Sequence, residues 1–171
     1  IGANGSGKTT FIKLLSGMIT PDKGEIFINN IDVRNQFYNA KKIISVMSDA
    51  NRSLYWNLSG QESLEYFAVL RGITEKKQRT KIVKELISTL NMESYILKKV
   101  ESYSKGMKQK LMFLIALLNN PKLLILDEPL NGLDFENILL LKDVLFKSVQ
   151  NGLSVLITSH DKYFLEEVCD I

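Results

Sequence analysis

Two stretches constrain the fold of this chain more than any other: KLLILDEP at residues 122–129 and LSVLITSH at residues 153–160. Each is a continuous apolar run of strand length, the pattern of a strand buried on both faces of a sheet, and each ends abruptly in polar residues. Residues 135–149 between them read as a helix, and another helix begins near Lys162. IISVM at residues 43–47 is a further β-branched strand, and a short strand is expected at residues 25–29 after the turn TPDKG. Strands that alternate with helices predict an α/β fold, an open and mostly parallel sheet with helices on both faces. KTTFIKLLSGM predicts a helix with Phe11, Leu14, Leu15 and Met18 on its apolar face and Gly17 as its stop. From Ser59 to about Leu90 the strand signals vanish. There Ser59-x-x-Glu62 reads as a capping box, and Ile82, Val83, Leu86, Ile87 and Leu90 share one helical face, so a helical insertion interrupts the sheet.

In such a sheet ligands collect at the carboxyl ends of the strands, so the residues just after each strand carry the chemistry. Four such ends are distinctive here: the glycine loop after Ile1, Asp49, the pair Asp127-Glu128, and His160. Residues 2–9, GANGSGKT, fit G-x-x-x-x-G-K-[ST], in which glycines let backbone N–H groups curl around phosphate oxygens at a helix N-terminus. The candidate phosphate ligands are Gly2, Asn4, Gly5, Ser6, Gly7, Lys8, Thr9 and Thr10. Lys8 supplies a point charge to the β and γ phosphates, and the Thr9 hydroxyl ligates Mg²⁺. Asp127 is the expected metal-side carboxylate and Glu128 the general base that polarises a water. His160, the one histidine of the chain, is expected at the γ phosphate.

Composition narrows the alternatives. The formal charge is only +3, and the lysines fall in scattered pairs, so a nucleic-acid surface is not expected. The single cysteine, Cys169, rules out an internal disulfide framework and reads as a small buried residue near a helix end. The longest apolar run, residues 111–118, has eight residues against the ~20 that cross a bilayer as a helix. Beginning at Ile1 inside its own glycine loop, with no signal peptide, the chain is expected to be a fragment whose natural N-terminus lies upstream.

The most specific stretch is YSKGMKQKL, residues 103–111, followed by LDEPLNGLD. With the glycine loop, the acid pair and His160 in the same order, it resembles the signature motif, commonly LSGGQ, of ABC transporter ATP-binding domains. The resemblance covers essentially the whole chain. It implies a P-loop NTPase core at residues 1–48 and 111–171, incomplete at both ends, with residues 49–110 forming a Q-loop-like segment, a helical subdomain and the signature. It implies that ATP and Mg²⁺ are the ligands, and that Ser104, Lys105, Gly106 and Met107 act in trans on the nucleotide of a second ATP-binding domain. That pairing is head to tail, with Asp134 in the D-loop. The implied protein powers a membrane-spanning permease, most resembles export and drug-resistance members, and sits in the cytoplasm, peripheral on the inner face of the cell membrane.

The signature has a physical rationale of its own. Ser104 and the Gly106 N–H open a helix whose expected apolar face is Leu111, Leu114, Ile115 and Leu118, giving a second anion-binding helix end. Lys108 and Lys110 are expected on a solvated face. Lys105 replaces a glycine of the commoner motif, and Asp49 stands where the family usually has Gln, which puts its direct contact with the metal in question. Tyr55 and Trp56 either dock a coupling helix of the membrane partner or are core aromatics. The competing readings are a soluble ATPase of the same type acting on ribosomes or DNA, and a degenerate nucleotide-binding module.

Overall fold

The structure, a computed structural model, describes residues 6–48 and 54–169. Its centre is a parallel three-stranded sheet, β3 (Ile44–Met47), β4 (Leu123–Asp127) and β5 (Ser154–Thr158), in that spatial order. Val46, Ile125 and Leu156 lie opposite one another across it. Leu124, Ile125 and Leu126 of the middle strand are fully buried, as a continuous apolar run requires. The helices expected on either side of β5 are α6 (Phe135–Gln150) and α7 (Lys162–Val168). On one face of the sheet, Ile12 and Leu15 of α1 (Lys8–Leu15) share a cluster with Ile44 and Ile125.

Helix α1 ends where the sequence placed its stop. Gly17 adopts φ 69°, and the Met18 and Gly17 N–H groups bond back to the carbonyls of Lys13 and Leu14, a Schellman closure that needs a left-handed residue. Its apolar face differs from expectation, because Ile12 is the buried residue while Phe11 and Met18 are exposed. The single strand expected at residues 25–29 is instead a hairpin, β1 (Phe27–Ile28) and β2 (Ile31–Asp32). Asn29 and Asn30, at φ 51° and 61°, make its turn; Asn tolerates the left-handed region that a two-residue hairpin turn demands. A short helix, α2 (Phe37–Ile43), precedes β3 without a periodic signature in the sequence.

The insertion folds as α3 (Gly60–Leu70), α4 (Lys76–Thr89), a 3₁₀ turn (Val100–Ser102) and α5 (Lys105–Leu117). The capping box forms in full, with the Glu62 N–H donating to the Ser59 hydroxyl at 3.2 Å and the Ser59 N–H donating to Glu62 Oε2 at 2.8 Å. Helix α4 buries Val83 and Ile87, and Leu90 at its end, on the expected face. Helix α5 departs from expectation: residues 109–116 are all buried, so it runs through the core instead of presenting one apolar stripe. Lys110 is therefore not on a solvated face but 7% exposed, its Nζ donating to Asn137 Oδ1 at 3.0 Å. Lys108 is half-buried with its ammonium 4.7 Å from the centre of the Trp56 ring. Cys169, expected to be buried, is exposed just beyond the last residue of α7.

A polar knot ties the insertion to the sheet. Arg71, capping the C-terminus of α3, donates through Nη1 to Ser45 Oγ of β3 at 2.5 Å and to Asn119 Oδ1 at 2.6 Å. Asn119 in turn donates to the Lys42 carbonyl at 2.9 Å. Burial holds the Arg71 guanidinium below its usual range, so these neutral oxygens are what keeps the charge satisfied. Asn119→Ala removes a principal acceptor of that charge and should destabilise the fold by about 1–3 kcal/mol, read as a lower urea midpoint. An unchanged midpoint would mean that water replaces the amide at no cost.

Candidate active site

The carboxyl edge of the sheet is built outward from β4 and β5. Asp127 is the last residue of β4 and pairs in register with Thr158, the last of β5. The Thr158 hydroxyl donates to Asp127 Oδ1 at 2.5 Å, which fixes the direction of that carboxylate. Glu128 then leaves the strand at φ 51°, a left-handed conformation that costs a non-glycine residue roughly 1–2 kcal/mol. Its N–H is anchored to the Thr158 carbonyl at 3.0 Å, so the strand exit is held to β5.

That exit turns the Glu128 side chain toward the loop after β5. Glu128 Oε1 lies 3.3 Å from His160 Nε2, and Oε2 accepts the His160 N–H at 3.3 Å. The two side chains are 24% and 66% exposed, so the pair lies at the surface of the sheet edge, accessible to a ligand. The acid and the histidine named from sequence are thus brought together. Gly7 caps α1 at φ 88°, a left-handed conformation that glycine adopts without strain, and beyond its chain neighbours no atom of the described residues lies within 4 Å of where a Cβ would stand. Lys8 is half-buried in the first turn of α1, where Thr9 and Thr10 are exposed, and Ser6, just before the Gly7 cap, is exposed as well. Gly2, Asn4, Gly5 and Asp49 lie outside the described residues.

At the start of α5, Ser104 is the N-cap and its hydroxyl accepts the Met107 N–H at 3.2 Å. Ser104 and Lys105 are exposed, and Gly106 and Met107 are half-buried. A Cβ on Gly106 would stand 2.6 Å from the Gly132 carbonyl oxygen, so the signature lies directly against the turn that follows Glu128. Asp134 closes that turn by capping α6, accepting the Asn137 N–H at 2.9 Å. Asn137 also receives Lys110, whose ammonium burial pushes down in pKa while Asp134 and Glu93 oppose the shift.

Thr158, Gln109, Lys110 and Asn137 were not singled out from sequence as site residues. Thr158 had a signal, since any strand running parallel to LLILD puts its last residue beside Asp127. Gln109 had one as well, a polar side chain inside an apolar helix, which a buried helix keeps only with partners. Tyr55 and Trp56 are not core aromatics: both are about half exposed, and Tyr55 stacks edge-on against Tyr66 with ring centres 5.1 Å apart. Among the described residues no helix is long and apolar enough to cross a membrane, and no three His, Cys, Asp or Glu side chains group as a metal site.

Comparison with known proteins assigns this chain to a family. The family described as ABC transporter matches residues 1–131. The uncharacterized ABC transporter ATP-binding protein YhaQ of Bacillus subtilis is 36% identical over 99% of this chain, which spans 55% of that protein. The lantibiotic transport ATP-binding protein SrtF of Streptococcus pyogenes is 32% identical over 99% of the chain, which spans 70% of it. A solved ATP-binding subunit of an ABC transporter superposes with a TM-score of 0.88 at 30% identity, covering 99% of this chain and 70% of that one. The chain spans about half the length of YhaQ and of a second Bacillus subtilis relative, YhcH. With its strand order, its motifs and these likenesses in agreement, the chain belongs to the ABC transporter family.

Proposed function

We propose that this chain binds MgATP and hydrolyses it as the ATPase part of a membrane exporter. The observation that carries the reading is the 3.3 Å approach of the Glu128 carboxylate to His160, beside an Asp127 carboxylate held by Thr158. Glu128 is the base that takes the proton of the attacking water, and its carboxylate holds the His160 ring at the sheet edge, where the γ phosphate is bound. Lys8, with the backbone N–H groups opening α1, neutralises and orients the phosphates. Gly2, Asn4, Gly5, Ser6, Gly7, Thr9 and Thr10 complete that cradle. Mg²⁺ would be held by the Thr9 hydroxyl and the Asp127 carboxylate, with Asp49 as a further candidate. This all-oxygen set, with too few protein ligands to retain the ion alone, fits a cation that arrives shared with phosphates. The bound ion supplies neutralisation of charge on the transferring phosphoryl group.

On this reading the α5 end, Ser104 to Met107, meets the nucleotide of a second ATP-binding domain, and Asp134 lies at that junction. Residues 1–48 and 111–171 form the ATPase core, and residues 49–110 the helical subdomain that faces a membrane-spanning permease. The exposed Tyr55, Trp56 and Tyr66, which line a hollow of about 220 Å³, support a docking role for that subdomain. A relative named for lantibiotic transport supports export. The protein would then act at the cytoplasmic face of the cell membrane.

The test uses the full-length protein. MgATP turnover should fall at least about a hundredfold in Lys8→Ala, and a membrane-spanning partner should copurify from detergent extracts. Turnover that survives Lys8→Ala removes the catalytic reading. Copurification with ribosomal protein or RNA removes the transport reading in favour of a soluble ATPase.

A further inference from the structure

We infer that Gln109 is a positioning residue for Glu128, clamping the strand exit that carries the carboxylate. The inference rests on Glu128 being the base. Gln109 Nε2 donates to the Glu128 carbonyl at 3.2 Å and to the Pro129 carbonyl at 2.9 Å. The residue is 5% exposed and belongs to the buried run of α5, so its amide is presented from a rigid element.

The geometry explains why a clamp is needed there. Glu128 sits in the left-handed region at φ 51°, which a non-glycine residue keeps only when its surroundings over-determine it. Its N–H is fixed by the Thr158 carbonyl of β5 and its carbonyl by Gln109 of α5, so the peptide on either side of the reactive carboxylate is pinned. The Asn131 N–H reaches the same Glu128 carbonyl at 3.3 Å, which makes that oxygen the pivot of the turn.

The choice of glutamine follows from its chemistry. An amide nitrogen carries two hydrogens, one for each carbonyl. A carboxylate at the same reach would present only acceptors to two acceptors, and a thioether would present no donor. Gly106 and Gln109 are three residues apart, hence on one face of α5, and both meet the segment after β4: Gly106 at Gly132, Gln109 at Glu128 and Pro129. The signature helix therefore bears on the Glu128 turn at two points. A displacement of its exposed end reaches the base of the same chain through Gln109.

The test is MgATP hydrolysis by the full-length protein carrying Gln109→Met, Gln109→Glu and Gln109→His. Met and Glu should lower kcat about tenfold with KM within about twofold, since the substrate cradle is untouched and only the base is displaced. His, whose Nε2–H lies as many bonds from Cβ as the glutamine amide nitrogen but offers one hydrogen for the two carbonyls, keeps one of the two bonds and should recover kcat to within about threefold. Parental kcat in Met or Glu overturns the inference, as does an equal loss in all three, which would mark packing alone. Amide hydrogen exchange supplies an arm independent of turnover: the Asn131 N–H should exchange about tenfold faster in Gln109→Met, and an unchanged rate overturns the clamp. Glu128→Gln is run alongside. If turnover persists in it, Glu128 is not the base, whereas the Asn131 exchange rate still decides whether Gln109 holds the turn.

Discussion

Glu128→Gln in the full-length protein should lower MgATP turnover by at least about a hundredfold while leaving nucleotide binding in place. The substitution is nearly isosteric, and the contacts that shape the site survive it. The amide oxygen can still accept the His160 N–H now held at 3.3 Å, and the backbone anchor to the Thr158 carbonyl does not involve the side chain. Glutamine meets the φ of 51° no worse than glutamate does. What disappears is the proton acceptor, worth roughly 10²–10⁴ in rate for a positioned general base. The negative charge beside His160 Nε2 disappears too, so the imidazole loses its anionic partner while keeping its place. Binding without turnover should accumulate the ATP-bound dimer, visible as an earlier-eluting species on size exclusion with MgATP. Parental turnover, or a protein that remains monomeric with saturating ATP, would remove Glu128 from the role of base.

Much of this could be read from sequence because each signal had a single physical reading. LLILD, alternating in the chain with helical stretches, reads as the buried middle strand of a parallel sheet, and Ser59-x-x-Glu62 closes as written because each of its bonds is local to one helix turn. The departures have other causes. Charge alone predicts that Lys110 and Lys108 are solvated, yet α5 is buried from Gln109 onward by elements distant in sequence and Lys108 lies over the Trp56 ring, and no local window reveals either. The single strand expected at residues 25–29 is a hairpin because Asn29-Asn30, a weaker turn signal than Asn-Gly, reverses the chain there. In the site, the residue types at strand ends were legible, and their mutual approach was not. That Glu128 faces His160, and that Gly106 faces Gly132, follows from a left-handed exit and a helix crossing that only the folded backbone fixes.

Gly106→Ala is the smallest change that should disable the signature end. A Cβ there would stand 2.6 Å from the Gly132 carbonyl oxygen and 3.6 Å from Leu133 Cδ2. The first contact is with backbone, so relief requires the start of α5 or the turn after Glu128 to move, at a cost of about 1–3 kcal/mol. Either movement displaces the Ser104 hydroxyl and the Gly106 N–H relative to the rest of the chain. Those are the groups proposed to meet a phosphate across the dimer, where misplacement by about 1 Å costs on the order of a hundredfold in rate. Gly132→Ala is the informative comparison, since its φ of 84° disfavours any side chain, but its two shortest contacts are with Lys105 Cγ and Cδ at 2.7 and 2.8 Å, which can rotate toward solvent and leave the fixed Lys105 Cβ at 3.0 Å as the closest neighbour. Strain at Gly132 therefore falls on the local backbone, whereas the clash at Gly106 falls on the helix end itself. ATP-driven dimerisation and turnover should consequently fall further in Gly106→Ala than in Gly132→Ala, even where the two lower the thermal midpoint alike. The reverse order would mean that the turn, and not the helix, gives way on contact, and that the signature end tolerates a methyl group without losing its aim.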